Sequence, residues 1–129
     1  MDASDLDLTG QVALVTGGGG GIGRSMALCM ADMGADIAVV EMIPERCEQV
    51  KAMVEARGRR VMTFPVNVMD AAALGDAVAQ AGEHFGRLDI LVNNAGGVTN
   101  KAFKDLAEKN WRRHIDLNRS EEHTSELQS

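Results

Sequence analysis

At 129 residues the chain is long enough for one small domain with a modest core. Its hydrophobic content of 45% and charged content of 25% are ordinary for a soluble globular protein. Lys+Arg 13 against Asp+Glu 19 give a net charge of −6, which argues against a basic face for nucleic acid. No apolar run is long enough to span a bilayer. The acidic start, Met1 to Leu8, lacks the basic and apolar parts of a signal peptide, so a cytoplasmic location is expected. Cys29 and Cys47 fall inside predicted helices without metal-ligand spacing; both are expected to be buried reduced thiols, with no metal site.

Residues 1–10 read as a polar lead-in, with Thr9-Gly10 turning into the first strand, Val12–Thr16. That strand is apolar throughout, as a parallel strand buried on both faces should be. Five glycines follow, Gly17 to Gly21, and then a helix from about Gly21 to Met33 that stops at Gly34. The second strand is Asp36–Val40, ending at Glu41. Pro44 suits the first turn of a second helix, with Cys47, Val50 and Val54 on one face and an end near Gly58. A third strand, Arg60–Val66, carries Pro65 near its end and is therefore expected at the margin of a sheet. Asp70 can cap a third helix with a stripe of Leu74, Val78, Ala81 and Phe85; Gly75 and Gly82 each weaken it by roughly 1 kcal/mol against alanine. Gly86 ends it. The fourth strand is Leu88–Val92, followed by Asn93-Asn94-Ala95-Gly96-Gly97. A polar loop leads to a last helix, expected from about Leu106 to Asn118 through Trp111 and Ile115.

Strand and helix alternate four times, and right-handed crossovers then give a doubly wound α/β fold with a parallel sheet of order 3-2-1-4. Ligands bind such sheets at the carboxyl ends of the strands, beside the switch point between strands one and four. The glycine cluster and the Asn93–Gly97 turn are the two loops there. Strand, glycine turn and helix form the layout that holds a dinucleotide pyrophosphate: backbone N–H groups face the phosphates, and glycine removes the Cβ that would block them. Two registers fit. Gly18, Gly20 and Gly23 give G-x-G-x-x-G; Gly17, Gly21 and Gly23, preceded by Thr16, give T-G-x-x-x-G-x-G.

Glu41, at the end of strand two, can accept from both hydroxyls of an adenosine ribose and repels a 2′-phosphate. No Arg or Lys lies in the glycine loop before Gly23 or directly after Glu41, so NAD is favoured over NADP. Asn67-Val68 follows strand three; the Asn67 amide can pair with adenine or form an Asx turn before the third helix. The amides and small side chains of Asn93-Asn94-Ala95-Gly96 can wall a cofactor's ribose, or tie neighbouring strands together, or both.

These residues together resemble the short-chain dehydrogenases/reductases, over about residues 6 to 118. The resemblance selects the register Thr16-Gly17-x-x-x-Gly21-Ile22-Gly23, matches Asn93-Asn94-Ala95-Gly96 to the family's N-N-A-G, and matches Trp111 with Asn118 to its W-x-x-x-x-x-x-N. It implies a Rossmann-type fold and nicotinamide-dependent oxidation of an alcohol or reduction of a carbonyl on a small molecule. It places Gly17, Gly21, Ile22 and Gly23 on the cofactor phosphates, Glu41 at the NAD-selecting position, and Asn67 where the family usually has Asp beside the adenine. Asn93, Ala95 and Gly96 then line the cofactor path, and Asn118 is the asparagine that holds a water in the catalytic proton relay. The family is often dimeric or tetrameric. It also requires a serine and a Y-x-x-x-K, and this chain has Tyr 0.

After Asn118 the pattern stops. Arg119–Ser129 resemble the in-frame translation of a sequencing-library adapter, so residues 1–118 are expected to be an incomplete NAD-binding domain, truncated after strand four and its helix, with 119–129 a non-native tail. The expected function is the N-terminal cofactor-binding part of an NAD(P)-dependent oxidoreductase, inactive as written. Strand four would then be an unpaired apolar edge, and poor solubility follows. A non-catalytic nucleotide-binding module is the alternative. A Rossmann-type methyltransferase fits the glycine spacing and Asn93–Gly96 less well.

Overall fold

The computed structural model describes residues 7–111. The expected helix through Ile115 and Asn118, and the segment 119–129, lie outside these residues wholly or in part. Four strands, β1 (Val12–Thr16), β2 (Asp36–Val40), β3 (Val61–Phe64) and β4 (Ile90–Asn93), alternate with four helices, α1 (Gly21–Asp32), α2 (Pro44–Glu55), α3 (Ala71–Phe85) and α4 (Asn100–Asn110). The sheet is parallel throughout, of order β3-β2-β1-β4. The α/β doubly wound arrangement expected from the alternation is the one observed.

The strands are predominantly apolar because each face of the sheet is covered, with polar residues such as Thr16, Asp36 and Asn93 at strand ends. On one face Val12, Leu14, Ala38, Val40 and Phe64 join Leu74, Val78, Ala81, Phe85, Phe103 and Trp111 in a core under α3 and α4. On the other, Ala13, Val15, Ile37, Val39 and Val92 join Ala27, Met30, Val50 and Val54 under α1 and α2. Alternate strand residues thus serve opposite cores. β1, central and wholly buried, ends at the glycine turn. Every loop at the carboxyl end of the sheet is therefore anchored to a strand that packs on both sides.

Several boundaries differ from the expected ones for local reasons. β3 stops at Phe64 because Pro65 has no N–H to continue the ladder. β4 begins at Ile90 rather than Leu88: the Asp89 carboxylate accepts from the Val12 N–H at 2.8 Å and from Arg87, fixing the strand's entry before its ladder starts. The largest departure is α4. It starts at Asn100, six residues before Leu106, because Thr99 Oγ1 caps it by accepting from Ala102 N–H at 3.0 Å. It ends at Asn110, where Trp111 turns to an extended conformation, φ −130° and ψ 114°. The Trp111 ring then lies on Gly82 of α3, where a Cβ would run into it. Gly82 and Gly75, which faces Asn110, are thus close-approach points for the end of α4 and not only weak spots in a helix.

Cys47 is buried, but Cys29 is exposed, which corrects the expectation of two buried thiols. Cys29 occupies the solvent side of the α1 stripe; Ala27, Met30 and Ala31 make the contact with the sheet. Among the described residues no helix is long and apolar enough to cross a membrane, and no group of His, Cys, Asp or Glu has metal-binding geometry.

Candidate functional site

The glycine turn resolves the two registers physically. Gly17 and Gly21 have φ of +64° and +56°, the left-handed region that side chains with a Cβ avoid. A Cβ on Gly23 would collide with the Gly17 carbonyl oxygen. The turn thus requires glycine at 17, 21 and 23, the register that begins at Thr16. α1 enters from this turn with no side-chain cap and no acidic residue in its first turn. Its first N–H groups and its positive end are left for a ligand, whereas α3 and α4 are capped by Asp70 and Thr99.

Thr16, 1% exposed, ties this turn to the one after β4. Its hydroxyl donates to Asn93 Oδ1 at 3.1 Å and accepts from the N–H groups of Asn94, at 3.0 Å, and Ala95, at 3.2 Å. Asn93 in turn donates through Nδ2 to the Val98 carbonyl and, at 3.1 Å, to Asn100 Oδ1. Asn93 therefore holds the loop from behind. The surface of the crevice is formed by Asn94, Ala95 and Gly96, with Asn94 Nδ2 donating to the Gly17 carbonyl at 3.3 Å. The sequence places Asn94 in the Asn93–Gly96 wall without a role of its own; the structure sets its amide against the Gly17 carbonyl.

A cavity of about 340 Å³ opens between these loops, lined on its far side by Glu41, Met42 and Arg46 and by Val66 to Met69. Gly17, Glu41, Asn67, Val68, Ala95 and Gly96 meet in it. Ile22 lies outside it, on the exposed start of α1, at 73% exposure. Glu41 is only 7% exposed, and its carboxylate grips the backbone: Oε1 accepts from Gly19 N–H and Oε2 from Ile43 N–H, each at 3.1 Å. A carboxylate has roughly four acceptor positions, so capacity for ribose hydroxyls remains on it. Cys47 supports the same corner by donating its S–H to the Glu41 carbonyl at 3.3 Å. Burial, with the Glu41 and Glu48 carboxylates adding to it, pushes that thiol above its usual pKa and keeps it a donor. Asn67 forms the Asx turn: its Oδ1 accepts from Met69 N–H at 2.9 Å, while its Nδ2 has no partner among the described residues.

Arg46 was also missed from the sequence, because it lies five residues beyond Glu41. Pro44 starts α2 so early that Arg46 falls in the first turn and folds back over the glycines. A Cβ on Gly20 would lie 3.2 Å from Arg46 Nη1. Asn118 lies outside the described residues.

The donor set fits a dinucleotide: an uncapped helix start, a Cβ-free cradle, a carboxylate at the end of β2 and an amide beside an apolar slot. Comparison with known proteins agrees. The family model for short chain dehydrogenase matches residues 11–120. The chain is 35% identical over 118 residues to 2,3-dihydro-2,3-dihydroxybenzoate dehydrogenase of Bacillus subtilis (strain 168), covering 92% of this chain and 44% of that protein. A short chain dehydrogenase from Burkholderia cenocepacia J2315, solved in complex with NADP, superposes with a TM-score of 0.72 at 38% identity, over 84% of this chain and 52% of that one. Another from Mycobacterium paratuberculosis, bound to NAD, gives 0.68 at 35% identity, over 72% and 39%. The chain belongs to the short-chain dehydrogenase family. It spans about half the length, or somewhat less, of the curated relatives it matches.

Proposed function

We propose that the chain is the nicotinamide-cofactor-binding part of an oxidoreductase that moves a hydride between the cofactor and an alcohol or carbonyl group of a small molecule. The observation that carries this reading is that Gly17 and Gly20 of the glycine turn line one cavity with the buried Glu41 and with the Asn94–Gly96 wall, which Thr16 holds through its hydroxyl. The cofactor, when bound, supplies the hydride chemistry. The chain's own residues orient it: Gly17, Gly21, Ile22 and Gly23 on the phosphates, Glu41 on the adenosine ribose, Asn67 and Val68 beside the adenine, and Ala95 and Gly96 along the path to the nicotinamide. Asn93 and Thr16 hold that path in place, and Asn118 serves the proton relay as the water-holding residue.

Glu41 favours NAD over NADP because its charge opposes a 2′-phosphate. With Tyr 0 the chain contains no tyrosine to act as general acid or base, so it binds cofactor without turning over an alcohol. A cytoplasmic location and a homo-oligomeric parent protein belong to the same reading.

Isothermal titration of the chain with NAD⁺ tests it. Saturable one-to-one binding is expected, weakened about tenfold in Glu41→Gln, because a hydrogen bond to a charged acceptor is worth roughly 1.5–3 kcal/mol. Binding of S-adenosylmethionine in preference to NAD⁺ would overturn the reading in favour of a methyltransferase.

A further inference from the structure

We propose that Met69 is an oxidation site, and that conversion of its thioether to the sulfoxide weakens binding in the cavity. The proposal rests on the cavity being a dinucleotide site.

Met69 is the most exposed methionine among the described residues, at 65%, ahead of Met42 at 59% and Met53 at 39%. Its backbone is pinned: the N–H donates to Asn67 Oδ1 at 2.9 Å, and the next residue, Asp70, caps α3. From that fixed point the side chain reaches across to the loop after β4. There the sulfur occupies the space where a side chain of Gly97 would stand, with Cγ and Cε each 3.6 Å from that Cβ position. Gly97 has φ of +96°, so the backbone also requires glycine there. No hydrogen bond joins residues 65–70 to residues 94–99 among the described residues, so the Met69–Gly97 contact links the two loops by packing. Met69 also lines the cavity, with Asn67, Ala95 and Gly96. The methionine most open to solvent is thus a clasp on the rim of the site.

A thioether takes one oxygen from a peroxide. The sulfur gives up two electrons and gains an S–O bond, the O–O bond breaks, and the second oxygen leaves as water. The product is polar and chiral where the side chain was apolar and adaptable. Because the sulfur already rests on Gly97, the added oxygen has no room on that side. It must project into the cavity or lift the side chain off Gly97, and either change alters the walls that the ligand meets.

The test is graded oxidation of the full chain with hydrogen peroxide, after exposed Cys29 is blocked with iodoacetamide. Peptide mapping by mass spectrometry reads the sulfoxide at Met42, Met53 and Met69, and calorimetry reads the NAD⁺ affinity at each stage. Met69 should oxidise at least as fast as Met53. Oxidation should weaken NAD⁺ binding about fivefold or more in the wild-type chain and in Met42→Leu, and less than about twofold in Met69→Leu, each against its own unoxidised affinity. Methionine sulfoxide reductases should restore the wild-type value. Met69 is exposed and leucine keeps an apolar contact, so the variant does not threaten the fold. An equal loss in Met69→Leu, or full conversion of Met69 with unchanged affinity, would overturn the proposal. Resistance of Met69 while Met53 is oxidised would overturn it too. Failure of the unoxidised chain to bind NAD⁺ would overturn the dinucleotide reading and this proposal with it.

Discussion

The Thr16 hydroxyl has one proton to give and two lone pairs to offer, and the fold uses all three, on Asn93, Asn94 and Ala95. Thr16→Val keeps the shape and strands two buried-side N–H groups and an amide oxygen. An unsatisfied group costs about 1–3 kcal/mol, so this variant should lose at least that much unfolding free energy, read as a lower denaturant midpoint, while Thr16→Ser should lose far less. Unchanged stability in Thr16→Val would mean water replaces the hydroxyl. The cysteines differ in a similarly checkable way. Iodoacetamide should label exposed Cys29 first. Cys47 is buried, and its raised pKa keeps it protonated, so it should react only on unfolding. Because the folded state favours the thiol, the Cys47 contribution to stability is present below the ordinary thiol pKa and fades as pH rises above it. At this scale the sequence showed which side chains carry chemistry but not which way they face. Asn93 and Asn94 are neighbours of identical type; only the end of β4 decides that Asn93 points into the loop and Asn94 into the cavity. The start of α2 at Pro44 was legible, but not that the Arg46 side chain folds back over Gly19 and Gly20.

Among the elements, α3 and α4 share the most informative contact. Glycine inside a helix costs about 1 kcal/mol against alanine, so Gly82→Ala taken alone should stabilise α3. In the folded chain it should destabilise instead, by about 1–3 kcal/mol, because the new methyl meets the Trp111 ring. Combined with Trp111→Ala the sign should reverse, and a double-mutant cycle on thermal or urea unfolding reads the coupling directly. Additive effects would show that Trp111 does not rest on Gly82. The strands β1 and β2 were legible to the residue, since continuous apolar runs bounded by glycine and charge have one solution in a parallel sheet. α4 was not. Its stripe of Phe103 and Ala107 was present in the sequence, but the expectation was anchored on Trp111, a residue that leaves the helix to pack on its neighbour.

For the molecule as a whole, the sheet order is legible in the sequence because alternation and crossover handedness leave few choices, and that order alone sets the two unusual loops side by side. What it could not give was the division of labour between site and scaffold. Cofactor binding and stability are linked: a ligand that binds only the folded chain stabilises it by about 2.7 kcal/mol at one hundred times its dissociation constant. Saturating NAD⁺ should therefore raise the thermal midpoint by several degrees, and Glu41→Gln should blunt the rise. The most direct test of the central claim is a backbone amide NMR titration of the chain with NAD⁺. The account predicts saturable shifts concentrated at Gly17 to Gly23, Glu41 to Ile43, Asn67 to Met69 and Asn94 to Gly96, the loops that meet at the carboxyl end of the sheet. No shifts at saturating NAD⁺, or shifts confined to the outer face of α1 around Ser25 and Cys29, would contradict it.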